Sequence, residues 1–149
     1  MNTKIRTGDK TLIDAVYKNV KMGADSMIDI LDKSSGKTFR ETLTAEIEAY
    51  EKLAKETGKK INESGGTPKE ESFMAKAAAK MGMAMNTMTD SSDSHLAQMV
   101  IQGMTMGTTE LTRLVREHEN TDCSEESLRL ARAAVELEER TIEKMKKYL

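Results

Sequence analysis

The sequence predicts an all-α protein, and three observations support this fold class. The 149-residue chain contains one Pro and nine Gly, so few positions interrupt a regular helix. Apolar residues recur at spacings of three and four over long stretches, which is the pattern of one buried helix face. Polar clusters rich in Ser, Asn, Asp and Gly separate these stretches. At this length we expect one domain over residues 1–149 with a sizeable core.

Five helices are predicted from the apolar stripes, at about residues 10–33, 38–63, 68–89, 94–118 and 125–148. Asp9 or Thr11 could cap the first helix, and Gly36 is suited to a left-handed cap at its end. Ser124, followed by two Glu residues, is a typical cap for the last helix.

The lengths of the links between helices predict the topology. The first two helices, and likewise the last two, are joined by a few residues, so each pair should pack antiparallel. The 68–89 helix would reach about 30 Å at the helical rise. The sequence therefore predicts a ferritin-like four-helix bundle, in which a long helical crossover joins two antiparallel hairpins. The alternative is a plain five-helix bundle with 68–89 as a core helix.

The charge balance and the cysteine count exclude several classes of protein. With 23 basic and 25 acidic side chains, the chain has no basic excess to attract nucleic acid. The single Cys123 cannot form an internal disulfide, which favours a reducing compartment. No stretch approaches the ~18 apolar residues of a membrane span, and no signal peptide is visible. We expect a cytoplasmic protein with no membrane partner, in which Cys123 is an idle surface thiol or, alternatively, a low-pKa thiolate.

Several short phrases of the sequence resemble those of a known family. They are Thr11 to Val16 followed by Val20 to Asp25, then Phe39-Arg40-Glu41, and then Gly65-Gly66-Thr67-Pro68. In these phrases the chain resembles an uncharacterised family of bacterial ferritin-like four-helix-bundle proteins. The resemblance covers about residues 11–145. It implies a fold related to rubrerythrin and ferritin, without an assigned activity.

The ligands of a di-iron centre are missing from the sequence. Catalytic ferritin-like proteins use a Glu from each of two helices and a Glu-x-x-His pair from each of the other two. This chain has only His95 and His118, and the residues three positions before them are Ser92 and Val115. The predicted first helix contains no Glu. We therefore expect no catalytic residues, no cofactor and no di-iron site.

Three carboxylates remain candidate metal ligands because they fall within the apolar stripes. These are Glu46, Glu110 and Glu138. A buried carboxylate is costly unless it is paired or binds metal. However, Glu46 and Glu110 differ in depth by about eight residues, or roughly 12 Å. The alternative is that each lies at the edge of its stripe and reaches solvent or a Lys.

Methionine is the most unusual component of the sequence. Met81, Met85 and Met88 recur at helical spacing, which is typical of core packing; an interaction surface or a soft-metal site are the alternatives. Gly103 and Gly107 lie four apart and should permit close helix packing. We expect a homodimer, with the identity of any other protein partner open. The function expected is a structural or protein-interaction role; the alternative is a metal-binding or redox and stress-related protein with an atypical carboxylate or Met site.

Overall fold

A computed structural model describes residues 7–66, 91–121 and 123–149, and these residues form four helices and no strand. The helices are α1 (Thr7–Lys33), α2 (Lys37–Glu63), α3 (Asp93–His118) and α4 (Glu125–Lys146). The prediction of an all-α four-helix bundle is confirmed. The largest difference in a boundary is at α1, which begins three residues earlier than its stripe indicates. The predicted 68–89 helix lies outside the described residues.

A continuous apolar core fills the space between the four helices. Each helix contributes one face at the spacing that the sequence predicts, and the largest fully buried side chains come from all four helices. They include Tyr50, Phe39, Leu12, Met27, Ile28, Leu31, Leu43, Ile47, Leu96, Leu111 and Leu130. None of the described helices has an apolar stretch long enough to cross a membrane.

An arginine, and not a glycine, caps the C-terminal end of α1 in the short link to α2. The Arg40 guanidinium donates to the carbonyl oxygens of Leu31 at 2.9 Å and Ser34 at 2.5 Å, which satisfies carbonyls that the end of α1 leaves free. The prediction that Gly36 forms a left-handed cap is wrong. Gly36 has φ −69° and is the N-cap of α2, and a Cβ there would overlap the carboxylate of Asp93.

Contacts at the two ends of the bundle define the helix directions. At one end, Asp93 at the start of α3 lies beside Gly36 at the start of α2. At the other end, Arg129 near the start of α4 pairs with Glu56 near the end of α2, 2.5 Å apart. Two antiparallel hairpins, α1–α2 and α3–α4, therefore lie so that α2 and α3 run in the same direction. Gly66 and Ser91 stand at opposite ends of the bundle.

The start of α4 is anchored to α1 through a buried carboxylate. Asp9 Oδ1 accepts a hydrogen bond of 2.7 Å from the backbone N–H of Ser124, and Cys123 also donates to Asp9. Cys123 is only 8% exposed, so the expectation of a surface thiol is wrong. Burial raises the pKa of Asp9, but hydrogen bonds from Ser124 and Ser127 outweigh it and lower this pKa to about 2.

Replacing Asp9 with Ala should lower the free energy of unfolding at pH 7 by about 0.5–2 kcal/mol, because the Ser124 N–H loses its acceptor. The pKa of Asp9 is lower in the folded state than its ordinary value of 3.8, so this contribution exists above pH 3.8 and disappears as the pH falls through 2. Urea unfolding at pH 7 and at steps down to pH 2 measures both effects. The exposed Asp14 on the same helix is the control, and Asp14→Ala should change stability by no more than about 0.5 kcal/mol.

Candidate functional site in the bundle interior

The three candidate carboxylates do not share one environment. Glu46 on α2 and Glu138 on α4 are buried, at 3% and 1% exposure. Glu110 on α3 is instead on the surface, where its side chain is 55% exposed and pairs with Arg113 at 2.8 Å. The placement of Glu110 in an apolar stripe is therefore wrong. Its position is on the outer side of α3, whereas Leu111 next to it points into the core.

Glu46 is held by partners from α4. Thr141 donates a hydrogen bond to Glu46 Oε1 at 3.2 Å, and the Lys144 ammonium lies 3.1 Å from Glu46 Oε2. Lys144 is 48% exposed, so its apolar stem crosses the bundle edge while its charge stays near water. Glu46 thus reaches a Lys, as the alternative interpretation of the sequence predicts, and its charge is compensated within the protein.

Glu138 has no such compensation. Its Oε2 atom is buried and has no hydrogen-bond partner among the residues that the structure describes, and the same is true of Asn19 Oδ1 on α1. The carboxylate lies against Gly107 of α3, where a Cβ would be 2.9 Å from Glu138 Oε1 and 3.1 Å from Oε2. Asn19 Nδ2 donates to the Gly107 carbonyl at 3.1 Å. Burial raises the pKa of Glu138 to about 8, so the side chain keeps its proton at neutral pH.

A buried tyrosine lies near both carboxylates. The Tyr50 hydroxyl donates to Met104 Sδ at 3.0 Å. Burial, and then the nearby charges of Glu138 and Glu46, raise the pKa of Tyr50 above its ordinary value. The Tyr50 ring packs closely on Gly23 of α1, where a Cβ would be 2.8 Å from the ring. The tyrosine therefore stays neutral, and it connects α1, α2 and α3 in this polar layer.

The donor set of this interior layer does not fit a di-iron pair. Among the described residues, no three His, Cys, Asp or Glu side chains come together as a metal-binding group. His118 caps the end of α3 through its Nδ1 atom, 2.8 Å from the Leu114 carbonyl. His95 lies in the first turn of α3, far along the helix from Gly107. The layer offers two carboxyl groups, a phenol, a hydroxyl and an amide.

Sequence reasoning found the two buried carboxylates but missed their neighbours Asn19, Tyr50 and Thr141 as site residues. The sequence signal that could have found Thr141 is its spacing on α4. Ala134, Leu137 and Thr141 are separated by three and four residues, so they lie on one helix face, and Glu138 lies on the same face. The structure buries all four, whereas Val135 and Ile142 are only half-buried.

The methionine and glycine predictions had different outcomes. Met81, Met85 and Met88 lie outside the described residues, so their role stays a prediction. Of the methionines on α3, Met104 is buried at 2% exposure and Met106 is exposed at 76%. Gly107 does allow a close approach between helices, but the prediction for Gly103 is wrong, because a Cβ there would have nothing within 4 Å.

Comparisons with known proteins assign no family to this chain. No protein-family model matches the chain, and no characterised protein and no solved structure matches it.

Proposed function

We propose that this protein is a ferritin-like four-helix bundle with a structural or protein-interaction role and without a catalytic metal centre. The helix directions support the ferritin-like part of the proposal. Two antiparallel hairpins with α2 and α3 parallel are what a long crossover connection produces, whereas a simple up-and-down bundle alternates the direction of each successive helix. The described ends of that connection, Gly66 and Ser91, lie at opposite ends of the bundle.

One observation carries the functional part of the proposal. In the bundle interior, where a ferritin-like protein holds its metals, Glu46 is already engaged by Thr141 and Lys144. The second buried carboxylate, Glu138, lies against the backbone of Gly107, and among the described residues no third metal-ligating side chain joins the two carboxylates. A layer of this kind fixes helix packing rather than binding a metal pair.

Metal analysis of the purified protein tests this function. We expect substoichiometric iron, manganese, zinc and copper after expression in medium supplemented with all four metals. About two metal ions per chain, the content of a di-iron-type centre, would overturn the proposal. Glu138→Gln should leave the metal content unchanged, because we give this side chain no ligand role.

A second candidate function is a metal-binding or redox protein with an atypical carboxylate or methionine site. The observation that favours it is a pair of buried oxygens, Glu138 Oε2 and Asn19 Oδ1, that have no hydrogen-bond partner within the described parts of the chain. The same metal analysis separates the two candidates, because a metal that is bound by the wild type and lost in Glu138→Gln supports the second. The homodimer, the cytoplasmic location and the lack of nucleic-acid binding stay predictions.

A further inference from the structure

A groove of about 580 Å³ runs between α3 and α4 on the outer surface of the bundle. Val115 and the half-buried Val135 contribute apolar surface to it. The charged side chains that line it are two basic and two acidic ones, namely Arg116, Glu119, Arg132 and Glu136. The α3–α4 groove thus combines an apolar floor with charges of both signs that cancel.

The four charges of the α3–α4 groove form a regular pattern. Glu119 on α3 pairs with Arg132 on α4, 3.6 Å apart, which defines one level along the two antiparallel helices. Arg116 lies three residues before Glu119, and Glu136 lies four residues after Arg132. At ~1.5 Å per residue, both are about 4.5 to 6 Å further along in the same direction. The positive and negative sides of the groove therefore change places from one level to the next.

Arg116 and Glu136 are the two charges of this pattern that are not used within the chain. Both side chains are exposed. In the part of the chain that the structure describes, neither of them forms an ion pair, whereas Glu119 and Arg132 pair with each other. The groove therefore presents one positive and one negative side chain, at nearly the same level, to whatever covers it.

A second copy of the chain has the charges that complement this pattern. When the copy is turned by 180° about an axis parallel to the helices, its α4 lies on α3 and its α3 lies on α4 at the same level. Arg116 then faces Glu136 of the partner subunit, and the reciprocal contact forms at the same time. Glu119 and Arg132 also meet opposite charges in this arrangement, and helices that face each other run antiparallel. The groove is therefore complementary to itself.

We propose that two copies of this chain associate through the α3–α4 groove, with a two-fold axis parallel to the helices. The contact encloses the apolar floor within a charged rim, which is the usual arrangement of a protein interface. The proposal rests on the protein-interaction role proposed above and names the partner. Its test measures mass and not metal content, so its failure is distinguishable from a failure of the metal-free bundle.

Charge reversal in the full-length chain tests this interface. Arg116→Glu and Glu136→Arg each create two pairs of like charges in the dimer, so each should raise the Kd by about tenfold or more. Sedimentation velocity at low salt, where surface charges are least screened, measures the Kd. The controls are Lys18→Glu on α1 and Glu48→Arg on α2, which reverse exposed charges away from the groove, and both should stay within about twofold of the wild type.

An equimolar mixture of the two groove variants gives the sharpest result. In a mixed dimer both reciprocal contacts again join opposite charges, so the mixture should recover the wild-type Kd within about threefold. Both substitutions are at exposed positions and should leave the fold intact, and recovery would demonstrate it.

Three results would overturn the proposed interface. The first is a wild type that stays monomeric at micromolar concentration. The second is a dimer whose Kd is the same in the groove variants and in the controls, because another surface, or another protein, would then be the partner of this face. The third is a mixture that associates no better than the separate variants, because the two-fold axis would then not bring Arg116 to Glu136 of the partner subunit.

Discussion

Replacing Glu138 with Gln should remove a large pH dependence of stability. We expect the wild type to lose about 3 to 4 kcal/mol of unfolding free energy between pH 5 and pH 8 from this one proton, at no more than about 1.4 kcal/mol per pH unit. The variant should lack this loss, because Gln occupies the same buried volume as the protonated acid and does not ionise. Urea unfolding of both proteins at pH 5, 6, 7 and 8 measures the difference.

The direction of this effect follows from the two pKa values. Burial raises the pKa of Glu138 to about 8 in the folded protein, against 4.5 as the ordinary value. Between these values the folded state holds a proton that the unfolded chain has released, so stability falls as pH rises. The stabilising contribution is complete below pH 4.5 and is lost as the pH rises through 8.

A matched control is available on the surface. Glu110 also stands between apolar-stripe residues spaced by seven, Gly107 and Leu114, but it is exposed and paired with Arg113. Glu110→Gln should leave the pH dependence of the wild type in place. Parallel stability curves for the wild type and Glu138→Gln would contradict an uncompensated carboxyl in the interior.

The helices themselves could be predicted because their signals are local. The apolar spacing and the polar breaks marked every described helix, and the Ser124 cap was predicted and is observed, with its hydroxyl accepting from the Ser127 N–H at 3.2 Å. The cap at the end of α1 could not be predicted in the same way. Arg40 supplies this cap, and Gly36 leaves room for the carboxylate of Asp93, which is distant in sequence.

The interior site was only partly predictable because neighbouring positions on a helix differ by about 100° in direction. Glu110 and Glu138 both stand between apolar residues spaced by seven, yet one faces solvent and the other faces the core. Which position turns inward depends on where the neighbouring helices lie. Asn19, for example, becomes part of the site only because α3 brings Gly107 against it.

Two glycines on one helix should respond in opposite ways to the same substitution. Gly103→Ala should raise the free energy of unfolding by about 0.5–1 kcal/mol, since Ala favours a helix and the added Cβ meets nothing within 4 Å. Gly107→Ala should instead lower it by about 1 kcal/mol, because the Cβ would lie 2.9 Å from buried Glu138 Oε1 and displacing that buried carboxyl costs more than the gain in helix propensity. Chemical denaturation of the two variants at pH 6 measures both changes.

The cause of the Gly107 effect can be isolated with a double-mutant cycle. In a Glu138→Ala background the carboxylate that meets the new Cβ is gone, so Gly107→Ala should lose most of its cost there. Gly103→Ala should have the same effect in both backgrounds, because Gly103 is on the outer side of α3 and does not contact α4. The contrary result is that Gly107→Ala stabilises the protein as much as Gly103→Ala does. In that case the Glu138 carboxyl is not in tight contact with α3 at Gly107, and the close approach of α3 to the interior layer has another cause.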